Sequence, residues 1–392
     1  MLRKGLAAGM LVLLLLTACA APMLQENSRV VLLWYDVHGP REAALLRLVE
    51  AFNAAHDGVQ VIAEYQDDLF RRTTMAPEGH RPDLVLVGTG GSLPYVEAGV
   101  DRAPERVSGA GFDADAFTPM AAAVFRGDEG WTAIPLGLRT YAFYYNADRL
   151  REAGLEAGQI ADRASMQETL CSLSDAEKGS VGLALPAQAG LCLAWWRAGV
   201  DGESLAQLSA LFTQGCARLY PHPAEAIAAL VQGEAAALYA SNSALPTIEA
   251  AMDAEEPFEL GVVPLGGVEA LSPTVWEGSG LVVVEGGAAS EPSLASAVGW
   301  FAAAEAENLW QEATGELPPR FDLLKAGPPQ ATPARQLFYA IALEAAASDT
   351  IIPAAMLRST EEQIALVAAL RALADGQPVE QVLADLQAAT SP

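Results

Sequence analysis

The sequence is short of cations, histidine and cysteine. Lys and Arg total 23 against 49 Asp and Glu, giving a formal net charge of −26. A chain this acidic repels nucleic-acid phosphates and anionic lipid headgroups. Nucleic acid is therefore excluded as a partner, and the charge reads as solubility and surface repulsion. The four histidines, His38, His56, His80 and His222, lie far apart, and none pairs at helical spacing with another metal-type ligand. There is no Cys-x-x-Cys pair, no His-Glu-x-x-His, no Gly-x-Ser-x-Gly elbow and no phosphate-binding Gly-x-x-x-x-Gly-Lys loop. Asp67-Asp68 is a paired carboxylate, read as a solvated loop. No metal or cofactor is expected. Enzymatic chemistry is disfavoured but not removed, because the carboxylates of a glycoside hydrolase can be scattered along a chain.

Long apolar runs are also missing. The longest opens the chain, from Leu6 to Leu16, and is shorter than the roughly 20 residues that span a bilayer. It follows Arg3 and Lys4 and precedes Leu16-Thr17-Ala18-Cys19. A positive start, a short apolar run and small residues make a secretory signal. Small residues before a cysteine resemble the bacterial lipobox, in which cleavage precedes the cysteine and its sulfur carries lipid. Residues 1–18 are thus expected to be a signal peptide, Cys19 the lipidated residue, and 19–28 a tether holding a soluble body to a membrane surface. The remaining cysteines are Cys171, Cys192 and Cys216. An odd number allows at most one internal disulfide, an exported compartment permits it, and buried unpaired thiols are the default expectation.

What is present is apolar and periodic. Of 392 residues, 52% are hydrophobic, enough for about two domains, each with its own core. Residues 30–35 read as a buried strand, and 41–55 as a helix with Leu45, Leu48, Val49 and Phe52 on one face. Residues 59–65 alternate as a strand, and Leu84–Val87 is a continuous apolar strand. These units predict an α/β fold with parallel-type sheets. Gly88-Thr89-Gly90-Gly91-Ser92 then reads equally as a ligand loop or a tight turn. Ile134-Pro135-Leu136-Gly137 runs into an aromatic strand that ends at Tyr144-Tyr145-Asn146. Further strands are expected at 181–185, 235–240, 259–264 and 281–284. Helices are expected at 190–198, 203–215, 223–233, 292–304, 305–313, 333–347, 359–374 and 378–388.

Seven of these segments, in order, resemble the carbohydrate-type family 1 of bacterial extracellular solute-binding proteins. They are Val31–Tyr35 with Gly39-Pro40; Leu48–Asn53 with His56-Asp57-Gly58-Val59; Arg81–Val87; Ile134–Asn146; Leu230–Ala236; Leu260–Leu265; and Ala313–Pro318. The resemblance implies a periplasmic-binding-protein-like fold, with two α/β lobes joined by a hinge and ligand in the cleft between them. It implies discontinuous lobes, 29–140 plus 262–312 and 141–261 plus 313–392. It also implies a monomeric receptor that delivers a sugar-like small molecule to an ABC permease in the membrane and does no chemistry itself. Sugars offer apolar ring faces to aromatic rings and hydroxyls to planar polar groups. The candidate ligand-binding residues are therefore Trp34, Asp36, His38, Arg139, Tyr141, Gln188, Trp195, Asn242, Trp276 and Glu277, while Trp300 and Trp310 are read as packing. Two departures stand out: the glycine-rich loop after 84–87, and Ser241-Asn242-Ser243-Ala244 where the family often has Gly-Ser-Trp-Ala. They keep open a degenerate receptor acting as sensor or structural partner, beside the exported enzyme.

Overall fold

The computed structural model describes residues 29–88, 91–162, 165–188, 203–253, 258–264, 275–347, 352–353 and 360–390. The signal, Cys19 and the tether, Cys192, Trp195 and the helix expected at 190–198 lie outside the described residues.

Two sheets organise the chain. The strands of interest are β1 (Val30–Tyr35), β2 (Gln60–Tyr65), β3 (Leu84–Val87), β4 (Ile134–Arg139), β5 (Tyr141–Asn146), β6 (Val181–Pro186), β7 (Ala217–Tyr220), β8 (Ala235–Ser241), β9 (Leu260–Pro264) and β10 (Val275–Val284). The helices that shape the site are α1 (Pro40–Ala55), α2 (Met166–Ser172), α3 (Glu203–Thr213), α4 (Pro223–Val231), α5 (Leu245–Met252), α6 (Glu291–Phe301), α7 (Ala304–Thr314), α8 (Pro333–Ala346), α9 (Thr360–Ala374) and α10 (Val379–Thr390).

The first sheet runs Ile352–Pro353, β10, β3, β1, β2, with β4 and Asp101–Arg102 also pairing along β10. Its β1, β2 and β3 are parallel, as expected, whereas β10 is antiparallel to both β3 and β4. The second sheet runs β7, β6, β8, β5, β9. There β6 is parallel to β7 and β8, and β5 is antiparallel to β8 and β9. Both sheets are thus mixed rather than purely parallel. β9 puts Val262–Pro264 in the second sheet, and the return to the first begins at Val275.

Local sequence explains these elements. In β1, Val31, Leu33 and Tyr35 are buried while their neighbours are partly exposed, the period-2 pattern of a strand. The β3 and β10 runs are buried throughout, as strands covered on both faces must be. Gly39, at φ +69°, turns the chain into α1, and Pro40 suits its first turn. Ala44, Leu45, Leu48, Val49 and Phe52 then bury one stripe of α1 against α7 and the first sheet. Each fully buried Leu or Phe contributes about 1.5–3 kcal/mol relative to exposure. A second core gathers Phe143, Leu183, Leu208 and Leu211 with Leu366, Leu370 and Leu373 of α9.

Two expectations change. Cys171 and Cys216 form a disulfide, with Cα atoms 4.7 Å apart, joining the end of α2 to the residue before β7. The unpaired default fails because the fold brings two residues 45 apart in sequence within bridging distance. The strand expected at 281–284 starts at Val275, so Trp276 and Glu277 lie within it. Among the described residues no helix is long and apolar enough to cross a membrane.

Candidate functional site

The two sheets meet where β4 ends at Arg139 and β5 begins at Tyr141, so Thr140 alone carries the chain across. Two other segments pass beside this point: the start of β10 and residues 315–317. Asn242 ties the second of them to the crossover. Its Oδ1 accepts from Thr140 N at 2.8 Å, and its Nδ2 donates to Gly315 O at 2.8 Å and Leu138 O at 3.3 Å. Leu138 and Leu317 exchange backbone hydrogen bonds of 2.8 Å. Gly315, at φ +68°, closes α7 and delivers Glu316 to this junction.

Beside the junction lies a cleft of about 750 Å³. Arg41, Arg139, Tyr141 and Glu277 form its floor, Gln188, Ser241 and Ser243 one side, and the Gln363, Ile364, Val367, Arg371 edge of α9 another. A compartment of about 410 Å³ continues from it past Arg41, Gln188, Ser241 and Ser243 to His38, Pro223 and Thr247. Ligand between the strand ends of two sheets is the usual arrangement in open α/β folds.

The floor is an ion-pair network. Arg139 is 2% exposed. It meets Glu277 Oε2 at 3.1 Å and Glu316 Oε1 at 3.2 Å. Arg41 Nε reaches the same Glu316 oxygen at 3.0 Å, and Ser279 Oγ donates to it at 3.0 Å. Trp310 Nε1 donates to the other Glu316 oxygen at 2.8 Å, and the Tyr141 hydroxyl to Glu277 Oε1 at 2.8 Å. Burial opposes the charge on Arg139, but the Glu316 and Glu277 carboxylates more than restore it, holding its pKa above the usual value. Burial and the Glu277 carboxylate push the Tyr141 hydroxyl well up, so it stays a neutral donor. Two arginines face two carboxylates, and the network carries no net charge. Gly137 makes it fit: a side-chain carbon there would collide with Glu316 and Trp310, which gives the glycine of Ile134-Pro135-Leu136-Gly137 a packing reason.

The structure brings together five of the ten sequence-derived candidates. Arg139, Tyr141, Gln188 and Glu277 line the main cleft, and His38 lines its continuation, paired with Glu42 at 3.5 Å and stacked on Tyr65. Asn242 is buried in the hinge instead, with both amide atoms engaged. Trp276 is fully buried within β10. Trp34 packs half-buried on the first core and donates to Glu64 at 3.2 Å, and Asp36 is exposed beyond β1; neither lines the cleft or its continuation. Trp195 lies outside the described residues. Trp310 and Trp300 pack as expected, the latter against Phe52 and Phe301. Asp67-Asp68 stays a surface pair, Asp68 bonded to Arg71.

Sequence reasoning missed Arg41, Glu316 and the α9 edge. Arg41 follows Gly39-Pro40, and Glu316 sits inside Ala313–Pro318, so both fell within segments singled out for their order and given no role. Among the described residues no group of three His, Cys, Asp or Glu side chains is placed to hold a metal.

The family profile described as bacterial extracellular solute-binding protein matches residues 47–336, a span that contains Thr140, Arg139, Glu277, Glu316 and the whole second sheet, and begins after β1 and Arg41. The chain belongs to the bacterial extracellular solute-binding proteins. It is a binding protein, not an enzyme. No curated protein gives a significant match. Solved structures agree in fold at low identity. The GacH receptor of Streptomyces glaucescens, solved unliganded and with acarbose, shares 18% identity over 92% of this chain and 97% of its own, with TM-score 0.75. UgpB of Mycobacterium tuberculosis, in complex with glycerophosphocholine, shares 18% over 91% and 97%, with TM-score 0.73. Maltose-bound MalE3 of T. maritima shares 15% over 92% and 98%, with TM-score 0.72. Their fold is the two-lobed, periplasmic-binding-protein-like one that this solute-binding protein shares.

Proposed function

We propose that this solute-binding protein is the receptor of an ABC importer and takes an uncharged carbohydrate or polyol into its interlobe cleft. The observation that carries the reading is the self-neutralised floor. Arg139 meets both Glu277 and Glu316, so its charge is already answered before a ligand arrives. Around it the cleft is lined by the amides of Gln188 and Gln363, the hydroxyls of Ser241 and Ser243, an aliphatic face at Ile364 and Val367, and one further charge of each sign, Arg371 and Asp375. Hydroxyl-rich ligands match amides and hydroxyls, whereas a phosphodiester is best met by several cations and would find Arg371 alone, with Asp375 lining the same cleft. Structural relatives are described with acarbose and maltose, and one with glycerophosphocholine, which sets the two classes to be separated.

The lobes follow the sheets, with the boundaries expected from sequence moved so that β9 stays with the second lobe. Closure about Thr140 around the ligand is the motion such a hinge allows. Export, lipid attachment at Cys19, delivery to a permease and a monomeric state complete the proposal. They rest on the lipobox-like Leu16–Cys19 segment and on family membership.

A thermal-shift panel of mono- and oligosaccharides, polyols and glycerophosphodiesters tests the ligand class. Stabilisation by a neutral sugar or polyol is expected. Stabilisation by phosphodiesters alone, or by nothing in the panel, overturns it. The second outcome would favour a degenerate receptor, a reading that Ser243 in place of the family's usual aromatic supports.

A further inference from the structure

The compartment that continues the cleft differs from it in chemistry. It holds about 410 Å³ and meets the main cleft at Arg41, Gln188, Ser241 and Ser243. Three of these are already engaged. The Ser241 and Ser243 hydroxyls bond each other at 2.7 Å, and Arg41 is held by Glu316 at 3.0 Å. Beyond this gateway the lining turns to carbon. Pro40, at the start of α1, lines it from the first sheet's side. Pro223 and Ala224, at the start of α4, and Ala244, just before α5, line it from the second's. Pro40, Pro223 and Ala224 are exposed and Ala244 is half-buried, so a guest can touch all four. Ile227, Leu238 and Ala240 add buried apolar lining. His38 contributes a ring, stacked on Tyr65 with centroids 4.8 Å apart. Thr314 is 2% exposed, and its hydroxyl is spent on Trp310 O at 2.8 Å. Among the described residues beyond the gateway, Thr247 alone is both exposed and hydroxyl-bearing.

A second sugar ring would bring several hydroxyls into this space, each asking for a partner. The lining has almost none to offer, and hydroxyls buried unmatched cost affinity. An apolar group makes no such demand and gains by leaving water. We infer that the ligand is amphiphilic: a glycoside whose sugar lies in the main cleft and whose apolar aglycone fills the continuation. The sizes agree. An apolar cavity of about 150 Å³ accommodates a benzene ring, so about 410 Å³ has room for an aromatic ring and the atoms that link it. Gln188 lines both compartments and stands where the glycosidic oxygen would pass between them. The inference rests on the carbohydrate reading above and narrows it to one class of carbohydrate.

The test titrates the full-length protein calorimetrically with matched methyl and phenyl glycosides of glucose, galactose, mannose and xylose, in both anomeric forms. Maltose, cellobiose and lactose serve as the sugar-extended controls. For the sugar that binds, the phenyl glycoside should be at least about tenfold tighter than the methyl glycoside, and a second sugar unit should add less. The phenyl gain should vanish in Ala224→Glu and in Thr247→Glu. Both positions are exposed, so the changes place a carboxylate in the compartment without threatening the fold. Equal affinity for phenyl and methyl glycosides, a disaccharide gain as large as the phenyl gain, or a phenyl gain that survives both substitutions overturns the inference. Binding of free sugars or polyols with no glycoside bound overturns it too and leaves the receptor reading standing. No binding by free sugars, polyols or any glycoside sinks the receptor reading and this inference together.

Discussion

The two sides of the cleft are built in opposite ways. The floor consists of buried charges held by one another: Arg139, Glu277 and Glu316 are each under 5% exposed and each touches another. The α9 wall offers side chains that the fold barely uses. Ile364 is 63% exposed while Leu366, Leu370 and Leu373, one helix face away, fill the second core. Arg371 is exposed and has no carboxylate partner among the described residues. The floor is therefore committed to the hinge, while Ile364 and Arg371 of the wall stand exposed at the cleft. A polar residue at the bottom of a pocket is thus not necessarily a ligand contact. What decides is whether its hydrogen-bonding capacity is already used.

Arg139→Met breaks this comparison most sharply. Removing the guanidinium leaves Glu277 and Glu316 buried with less positive charge between them. Truncating one partner of a buried ion pair costs about 3–5 kcal/mol, and chemical denaturation of the full chain should show a loss of that size. A variant that keeps its stability and loses only ligand affinity would place Arg139 among the ligand contacts and erase the distinction.

The wall has its own support, which gives the next largest effect. α9 packs on α3 and α10, and the Cys171–Cys216 bridge ties α2 to the start of β7 beneath them. Cys216→Ser should cost about 2–4 kcal/mol, the usual range for a bridge closing a loop of this order, and reduction of the native protein should lower its melting temperature alike. Equal stability with and without reductant would show that the wall does not depend on the bridge. A smaller effect sharpens the floor's side. Glu307 is fully buried, as Glu316 is, but among the described residues its Oε1 has no partner and its Oε2 accepts from Arg320 N alone, at 3.3 Å. Burial pushes its pKa well above the ordinary 4.5, partly offset by Arg320. The folded protein thus holds this proton more tightly than the unfolded chain. Its contribution is fully present below pH 4.5 and is lost as pH rises through the folded value, by about 1.4 kcal/mol per unit of difference. Glu307→Gln should flatten the decline of melting temperature above that pH. Parallel pH profiles for the two proteins would count against it.

The sequence carried the fold further than the site, and particular residues show why. Period-2 burial in β1, the α1 stripe and the unbroken β3 run are local patterns, so the α/β class and the element order were legible. The antiparallel insertion of β10 is not local, because it pairs Gly280 with Val87 and Gly278 with Leu138, far back in the sequence. Arg139, Tyr141, Gln188, Glu277 and His38 fall on the cleft or its continuation because they sit near strand ends or in the loops just beyond them, where open sheets place ligands. Asn242 occupies such an end too, yet the 138–140 crossover and Gly315 use up its amide. Trp276 was misread because an indole looks the same in sequence whether it stacks on a ligand or fills a core. Arg41 and Glu316 were missed because their meaning is mutual: they lie 275 residues apart and only the folded hinge joins them.

The smallest effect on stability should come from the α9 wall, and it is the most telling. Ile364→Ser and Arg371→Ala change exposed side chains with no core role, so each should alter stability by no more than about 0.5 kcal/mol. If α9 supplies ligand contacts, both should weaken binding of whichever sugar or polyol the thermal-shift panel identifies. About tenfold, or 1.4 kcal/mol, is expected for a well-placed contact. Isothermal titration on the two variants measures it. The combination of lost affinity and unchanged melting is the signature of a wall made for a ligand, and it is the reverse of what Arg139→Met should give. Unchanged affinity in both variants would move recognition off α9 and leave the amides and hydroxyls of Gln188, Ser241 and Ser243 to carry it.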